Sequence, residues 1–358
     1  MSAAYRAVQW NWAKIRYDAV LLIAVAAYIA LFMAAGRWWL SPANNPASWE
    51  DLRIRAFGSC AFIMLSIILA IGPLARLDRR ALPLLYNRRH FGVLTFCIAA
   101  AHGWFNLDWF VSRGRWHDFV AVVTDWPSYA SITHFPFSTL GIVSLIVLFL
   151  MAATSHDFWL AFLKPPQWKA LHMAIYVAYG LLVAHIALGA MQAYGGALIP
   201  ILLGGAVATV AILHIVAGWR EWAVDRVLHQ DDRWIPVGPP LAIDDGAARV
   251  VSAPCGERIA VFRDGGRIAA LGGLCPHQNG PIGEGRIIDG YVTCPWHGHQ
   301  FRLEDGCAPS PYTDRIQTYR LRLRQGIVEV DPAAALPHGA CAALQLPRAG
   351  GDDRDLAV

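Results

Sequence analysis

Two short runs of the chain bring together residue types that bind metal. The first reads Cys275-Pro276-His277, and sixteen residues later comes Cys294-Pro295-Trp296-His297-Gly298-His299. Each run supplies a thiolate and an imidazole. Two Cys and two His suit a [2Fe–2S] cluster in which His replaces Cys on one of the two irons. Zinc competes for the same donors, because two Cys and two His also close a tetrahedral site. The spacing argues against zinc. Zinc fingers pair Cys with Cys and His with His at short intervals, whereas here each pair is mixed. Gly280, Gly283, Gly285 and Gly298 flank the donors, and glycine suits tight loops around a compact inorganic core.

A second set of candidates is histidine in apolar surroundings. The 358 residues are 56% hydrophobic and 16% charged, with the apolar residues in blocks. Six blocks lie near 18–36, 55–74, 91–111, 136–153, 168–189 and 196–218. Each is long enough to cross a hydrocarbon core of about 30 Å, which takes roughly 20 helical residues, the short fourth with an extension through Phe135. Lipid leaves helix as their form, since every backbone group must be paired within the segment. Ionisable residues inside such spans are functional candidates. His102 falls in the third span, His172 and His185 in the fifth and His214 in the sixth, with His90 at the entrance of the third.

Neutral imidazole is an axial ligand of haem iron, and facing helices can supply two. In an up-and-down bundle the third and fifth spans run parallel, so His90 is level with His172 and His102 with His185. The 12 or 13 residues between them on each span amount to roughly 18–20 Å of helix, room for two stacked haems. Rotation alone does not pair them, because neither interval returns to the same helical face. His214 reads as a residue that hydrogen-bonds a neighbouring helix. His117, His134, His156, His229, His299 and His338 read as loop or tail residues.

Basic residues set the orientation. Arg6, Lys14, Arg16, Arg76, Arg79, Arg80, Arg88, Arg89, Lys164 and Lys169 lie on one side of the spans, and Arg37, Arg53, Arg55, Arg113 and Arg115 on the other. Ten against five puts both termini in the cytoplasm by the positive-inside rule. Trp10, Trp12, Trp38, Trp39, Trp104, Trp109, Trp168 and Trp219 fall near span ends, where amphipathic rings settle. The net charge of +4 makes no case for nucleic acid, since the arginines sit between apolar segments. Cys60 and Cys97 lie in apolar runs, and Cys255, Cys307 and Cys341 have no paired spacing, so no disulfide framework is implied. No cleavable signal peptide is visible, and no internal repeat is found.

From Trp234 the pattern changes to short β runs punctuated by Asp264-Gly265-Gly266, Asp289-Gly290, Asp305-Gly306 and Gln325-Gly326. These turn signals bound strands at Arg258–Phe262 and Tyr291–Cys294 and a hairpin of Tyr319–Arg324 with Ile327–Val330. The expected organisation is a cytoplasmic tail at 1–17, an all-α membrane bundle of six transmembrane helices at 18–218, and a linker at 219–233 able to continue the sixth helix. A small antiparallel all-β domain at 234–332 and a disordered tail at 333–358, rich in Ala, Pro and Gly, complete it.

Residues from about Trp234 to Pro332 resemble a Rieske ferredoxin domain of the kind found in ring-hydroxylating dioxygenase ferredoxins and nitrite reductase small subunits. The resemblance implies that Cys275 and Cys294 hold a buried iron and His277 and His297 the outer one. Respiratory Rieske proteins have a disulfide-bonded Cys pair where this chain has Gly280 and Trp296, and a Ser and a Tyr where it has His299 and Phe301. Fewer hydrogen bonds to the sulfurs imply a lower reduction potential. Residues from about Gly92 to Leu188 resemble a ferric reductase-like transmembrane domain, the class containing the haem-binding membrane subunit of the periplasmic methionine sulfoxide reductase system and, more distantly, the NADPH oxidases. The likeness is carried by Arg88-Arg89, Ala101-His102, Ala153-Thr154-Ser155 and Trp168-Lys169-Ala170-Leu171-His172 with His185. It implies that His102, His172 and His185 are haem-associated. His90 stands where the bacterial subunit usually has no His.

The combined expectation is an oxidoreductase, or the electron-transfer subunit of one, in a bacterial inner membrane. Electrons would pass from a cytoplasmic Rieske cluster to one or two b-type haems and on to a periplasmic acceptor protein or small molecule. The chain has no Gly-x-Gly-x-x-Gly after a strand, so a separate cytoplasmic reductase or ferredoxin is the expected donor. Two rivals remain. A Rieske oxygenase needs a mononuclear iron held by two His and a carboxylate, yet only His338 follows His299. A membrane-anchored ferredoxin would use the six helices merely as a tether.

Overall fold

The computed structural model describes residues 12–39, 47–85, 88–124, 129–130, 135–155, 159, 163, 165–194, 197–225, 234–277, 279–296, 298–310, 312–335, 343–346 and 356–357. They divide into two units. One comprises Trp10–Gly72 and Asn87–His214; the other comprises Pro73–Tyr86 and Ile215–Val358, with Met1–Gln9.

The helices in chain order are α1 Trp12–Ala34, α2 Trp49–Leu77, α3 Leu82–Leu85, α4 Arg88–Ser112 and α5 Trp116–Thr124. After them come α6 Phe137–Ala153, α7 Pro165–Met173, α8 Ile175–Leu188, α9 Ala190–Tyr194 and α10 Leu198–Asp225. Among the described residues, four stretches are long and apolar enough to cross a membrane: Ile15–Trp39, Trp49–Leu77, Gln167–Gln192 and Leu198–Ala223. The other two expected spans fall on α4, which opens Arg88-Arg89-His90 and carries Asp108, and on α6, an apolar helix of 17 residues. Large aliphatic side chains on α1 (Val20, Leu22, Ile23, Leu31) and α10 (Ile201, Leu202, Ile212) are more than half exposed. Contiguous apolar surface of this kind marks a membrane-facing or partner-facing wall.

Inside the helical unit, Phe62, Leu65 and Leu69 of α2 pack with Leu148 of α6, Ile175 and Tyr179 of α8, and Leu203 and Val210 of α10. Ala56, Ser144 and Ala178 are fully buried, and such small residues let helix backbones approach closely. Polar links cross the core: Ser66 Oγ and Tyr179 Oη lie 3.1 Å apart, and Ser144 Oγ donates to Ala178 O at 3.2 Å. Arg53, expected between spans, lies within α2, with its guanidinium 4.2 Å from the Phe105 ring centroid and 3.4 Å from Asp108.

The β domain has strands β1 Ile235–Gly238, β2 Ala248–Ser252, β3 Arg258–Asp264, β4 Arg267–Gly272, β5 Arg286–Ile288 and β6 Tyr291–Thr293. They continue with β7 Gln300–Arg302, β8 Thr318–Arg324, β9 Ile327–Ala335, β10 Leu344–Gln345 and β11 Leu356–Ala357. The large sheet runs β1-β9-β8-β4-β3-β2, with β10 on β4 and β11 on β8, and β5-β6-β7 form a second sheet. All the pairings are antiparallel. The Asp289-Gly290 and Gln325-Gly326 turns have positive φ at both residues, 52° and 80°, then 49° and 73°. That is the turn whose twist matches two flanking strands.

Strand β3 explains why both faces of the large sheet are buried. Its side chains alternate between two cores. Ile259 and Val261 join Ile235, Leu321 and Val330 on one face, while Ala260 and Phe262 join Ile282, Val292 and Phe301 under the second sheet. Helix ends belong to this unit as well: Arg76 Nε lies 2.6 Å from Glu284 Oε1, and Arg258 pairs with Glu221. The expected 219–233 linker is helical through Asp225; 226–233 lie outside the described residues. The expected disordered tail is partly sheet, because β9 runs through Ala335 and the apolar Leu344 is buried against β4.

One glycine governs how the small sheet meets the loop before it. A Cβ on Gly285 would stand 2.4 Å from Thr293 O and 2.9 Å from Ile282 O, whereas one on Gly266 meets nothing within 4 Å. Gly285→Ala is expected to destabilise the β domain by about 1–3 kcal/mol and Gly266→Ala by under about 0.5 kcal/mol. Thermal unfolding of the purified protein followed by circular dichroism checks the order of the two.

Candidate functional site

The two metal-type runs sit at neighbouring loops. The first connects β4 to β5 and the second joins β6 to β7. Their backbones repeat one pattern. Cys275 N–H donates to Gly280 O at 2.8 Å and Asn279 N–H returns to Cys275 O at 2.7 Å; Cys294 N–H donates to His299 O at 2.8 Å and Gly298 N–H to Cys294 O at 2.9 Å. The residue four after each Cys has positive φ, 58° at Asn279 and 70° at Gly298. That conformation suits Gly and, next best, Asn. Each loop therefore turns back on itself around its Cys.

Both thiols are 1% exposed and packed with Ile282, Val292 and Phe301, while neighbouring Leu274 is 54% exposed. A Cβ on Gly280 would lie 2.8 Å from Cys294 Sγ and 3.2 Å from the Trp296 ring. The loops thus close on each other by packing, with Trp296 against Gly280 where respiratory Rieske proteins have their disulfide. His297 lies outside the described residues, and among those described no group of three or more His, Cys, Asp or Glu converges on one point.

His299, read from the sequence as a loop residue, is 8% exposed and lies parallel to His277, ring centroids 5.2 Å apart at 9°. Its Nε2 is 3.3 Å from Asp314 Oδ2. Burial pushes its pKa down, opposed by the Asp314 carboxylate. Nothing in the spacing of His299 announced that contact. Two buried thiols on matched loops, with His277 two residues after Cys275, fit the thiolate and imidazole donor types of an iron–sulfur site.

The membrane-type histidines separate by their partners. His102 of α4 and His185 of α8 face each other, ring centroids 6.4 Å apart at 79°. His102 Nδ1 is 2.9 Å from Ile54 O, and His185 Nδ1 is 2.8 Å from Phe137 O. A carbonyl only accepts, so each Nδ1 carries the proton and each neutral ring keeps its lone pair on Nε2. Metal-ligating histidines are oriented in this way, with the second ring nitrogen held by a backbone carbonyl. These residues fit haem iron.

His172 stacks on Trp168 with centroids 3.8 Å apart, and its Nε2 is 3.4 Å from Thr154 Oγ1. His90 Nδ1 is 2.7 Å from Asp18 Oδ2. An acid inside the first apolar block was the signal that could have found that pair. Both nitrogens of His214 are engaged, Nδ1 with Val210 O at 2.8 Å and Nε2 with Tyr176 Oη at 3.0 Å, as suits a residue bonding between helices.

Known proteins divide the chain the same way. Residues 57–183 match the family model of the ferric reductase like transmembrane component, and 233–320 that of the Rieske [2Fe-2S] domain. The anthranilate 1,2-dioxygenase ferredoxin subunit of Burkholderia cepacia is 35% identical over 101 residues, 27% of this chain and 91% of the relative. Cholesterol 7-desaturase nvd 1 of Ciona intestinalis is 32% identical over 88 residues, 24% of this chain and only 18% of that relative. Among solved structures, the complex of reduced oxygenase and oxidized ferredoxin in carbazole 1,9a-dioxygenase matches 30% of this chain and 100% of its own at 25% identity and TM-score 0.28. Both family matches imply electron transfer. Through its C-terminal domain the chain belongs to the Rieske [2Fe–2S] family, here joined on one polypeptide to a ferric reductase-like transmembrane component.

Proposed function

We propose that this protein moves electrons across a bacterial inner membrane, from a cytoplasmic donor to a periplasmic acceptor. The observation that carries the reading is the union of a Rieske match at 233–320 with a ferric reductase-like match at 57–183. A tether would need no redox module, and a soluble carrier would need no helices. The bound groups, a [2Fe–2S] cluster and one or two b-type haems, supply one-electron chemistry.

The residues have separate tasks in this reading. Cys275 and Cys294 are the thiolate ligands, kept from water by the β core, and His277 and His297 are the imidazole ligands. His102 and His185 serve one haem. His172, with His90 beside it in depth, serves a second. Asp18 would hold the His90 ring by a charge-assisted bond that leaves Nε2 as its base. Helices α4 and α6 complete six spans, and the bias of basic residues supports cytoplasmic termini. The donor is a separate reductase or ferredoxin. Likeness to a dioxygenase ferredoxin subunit supports a carrier role for the β domain.

Direction follows from the cluster's surroundings. Gly280, Trp296, His299 and Phe301 offer the sulfurs fewer hydrogen bonds than the respiratory residues would, which favours a low potential. A low-potential entry point on the cytoplasmic side sends electrons outward.

Three measurements test the reading. Cys275→Ser or Cys294→Ser should abolish a Rieske-type EPR signal of the reduced protein while leaving haem absorbance in place; zinc without iron or acid-labile sulfide would sink the cluster. Pyridine haemochrome assay and reduced-minus-oxidised spectra should show His102→Ala and His185→Ala removing the same haem and His172→Ala a different one. Three unchanged spectra would favour the membrane-anchored ferredoxin. Redox titration should find potentials level or rising from the cluster to the haem of His102 and His185, and a cluster well above both haems would reverse the flow.

A further inference from the structure

The facing histidines rest on one device used twice. Ile54 of α2 accepts the proton of His102 Nδ1, and Phe137 of α6 accepts that of His185 Nδ1. Four residues after each acceptor stands a glycine, Gly58 and Gly141. A Cβ on Gly58 would lie 2.9 Å from both Cε1 and Nδ1 of His102; one on Gly141 would lie 3.0 Å and 3.1 Å from the same atoms of His185.

The reason is helical geometry. A helix carbonyl points toward the residue four ahead, whose N–H it accepts, so a ring reaching its second lone pair must pass where that residue's Cβ would stand. Glycine opens the approach, although within a helix it is less favourable than alanine. The intervals also agree. Acceptor and histidine are 48 residues apart in both sets, and each member of Phe137–Gly141–His185 follows its counterpart in Ile54–Gly58–His102 by 83. Gly180 of α8 and Gly205 of α10 serve as controls: a Cβ on either meets nothing within 4 Å.

We infer that Gly58 and Gly141 are paired positioning residues, each seating an imidazole on a helix carbonyl so that its tautomer and ring plane are fixed and Nε2 remains the base. The inference rests on the reading of His102 and His185 as ligands of one haem. The seats hold the planes near perpendicular, at 79°. Perpendicular axial imidazoles give ferric haem a highly anisotropic low-spin EPR signal, whereas parallel ones give an ordinary rhombic signal.

The test uses the full-length protein in detergent. Unmodified protein should give the highly anisotropic signal. Gly58→Ala and Gly141→Ala should each weaken retention of that haem about 10–100-fold or convert its signal to a rhombic or high-spin form. Gly180→Ala and Gly205→Ala should change neither, and the Rieske signal reports that each variant is folded. A rhombic signal from unmodified protein overturns the inference without any variant. So does wild-type haem content and signal in both seat variants while His102→Ala loses the haem; if His102→Ala also leaves the haem untouched, the ligand reading itself fails.

Discussion

A neutral imidazole carries one N–H, and leaving that donor unpaired in apolar surroundings is costly. Water pairs it at a surface; inside a helical bundle a backbone carbonyl must. Helix carbonyls are already engaged along the axis, so the acceptors at Ile54 and Phe137 serve two donors at once. The packing of α2 against α4, and of α6 against α8, is constrained by that sharing. Gly58 and Gly141 let the rings in, and small buried residues such as Ala56, Ser144 and Ala178 let the helices come close enough for the bonds to form.

The β domain meets a different demand with a similar economy. Its two loop thiols are withdrawn from water, yet lie close to the exposed Leu274. Both Cys275 and Cys294 are set at the edge of a core that the two sheets share, and both are fixed by the same pair of backbone bonds. Trp296 lying against Gly280 closes the loops without a covalent link.

Much was legible in the residues themselves. Mixed Cys–His spacing pointed to the Rieske domain that the family match finds at 233–320, since the chemistry depends on residue type and order. Asp289-Gly290 and Gln325-Gly326 marked hairpins because few other residues tolerate positive φ there. Apolar blocks located the helices, and α4, which carries His102, Asn106 and Asp108 among its apolar residues, is less apolar than the four long stretches. The tail misled because a short apolar segment such as Leu344 pairs with β4 at long range, and local composition carries no record of that partner.

What the sequence by itself determined was therefore the inventory: two Cys–His pairs, histidines in apolar helices, and a β domain after a helical one. Periodicity could not pair His102 with His185, because the rotation of one helix against another is a property of packing and not of either strand of sequence. Only the tertiary structure brought those rings to 6.4 Å and set each on a carbonyl. It also laid His299 over His277 and Asp18 against His90. Hydrogen bonds and ring contacts act over a few ångströms, and residues 48 or 72 positions apart in the chain reach that range only after folding has spent its hydrophobic drive on aligning the helices.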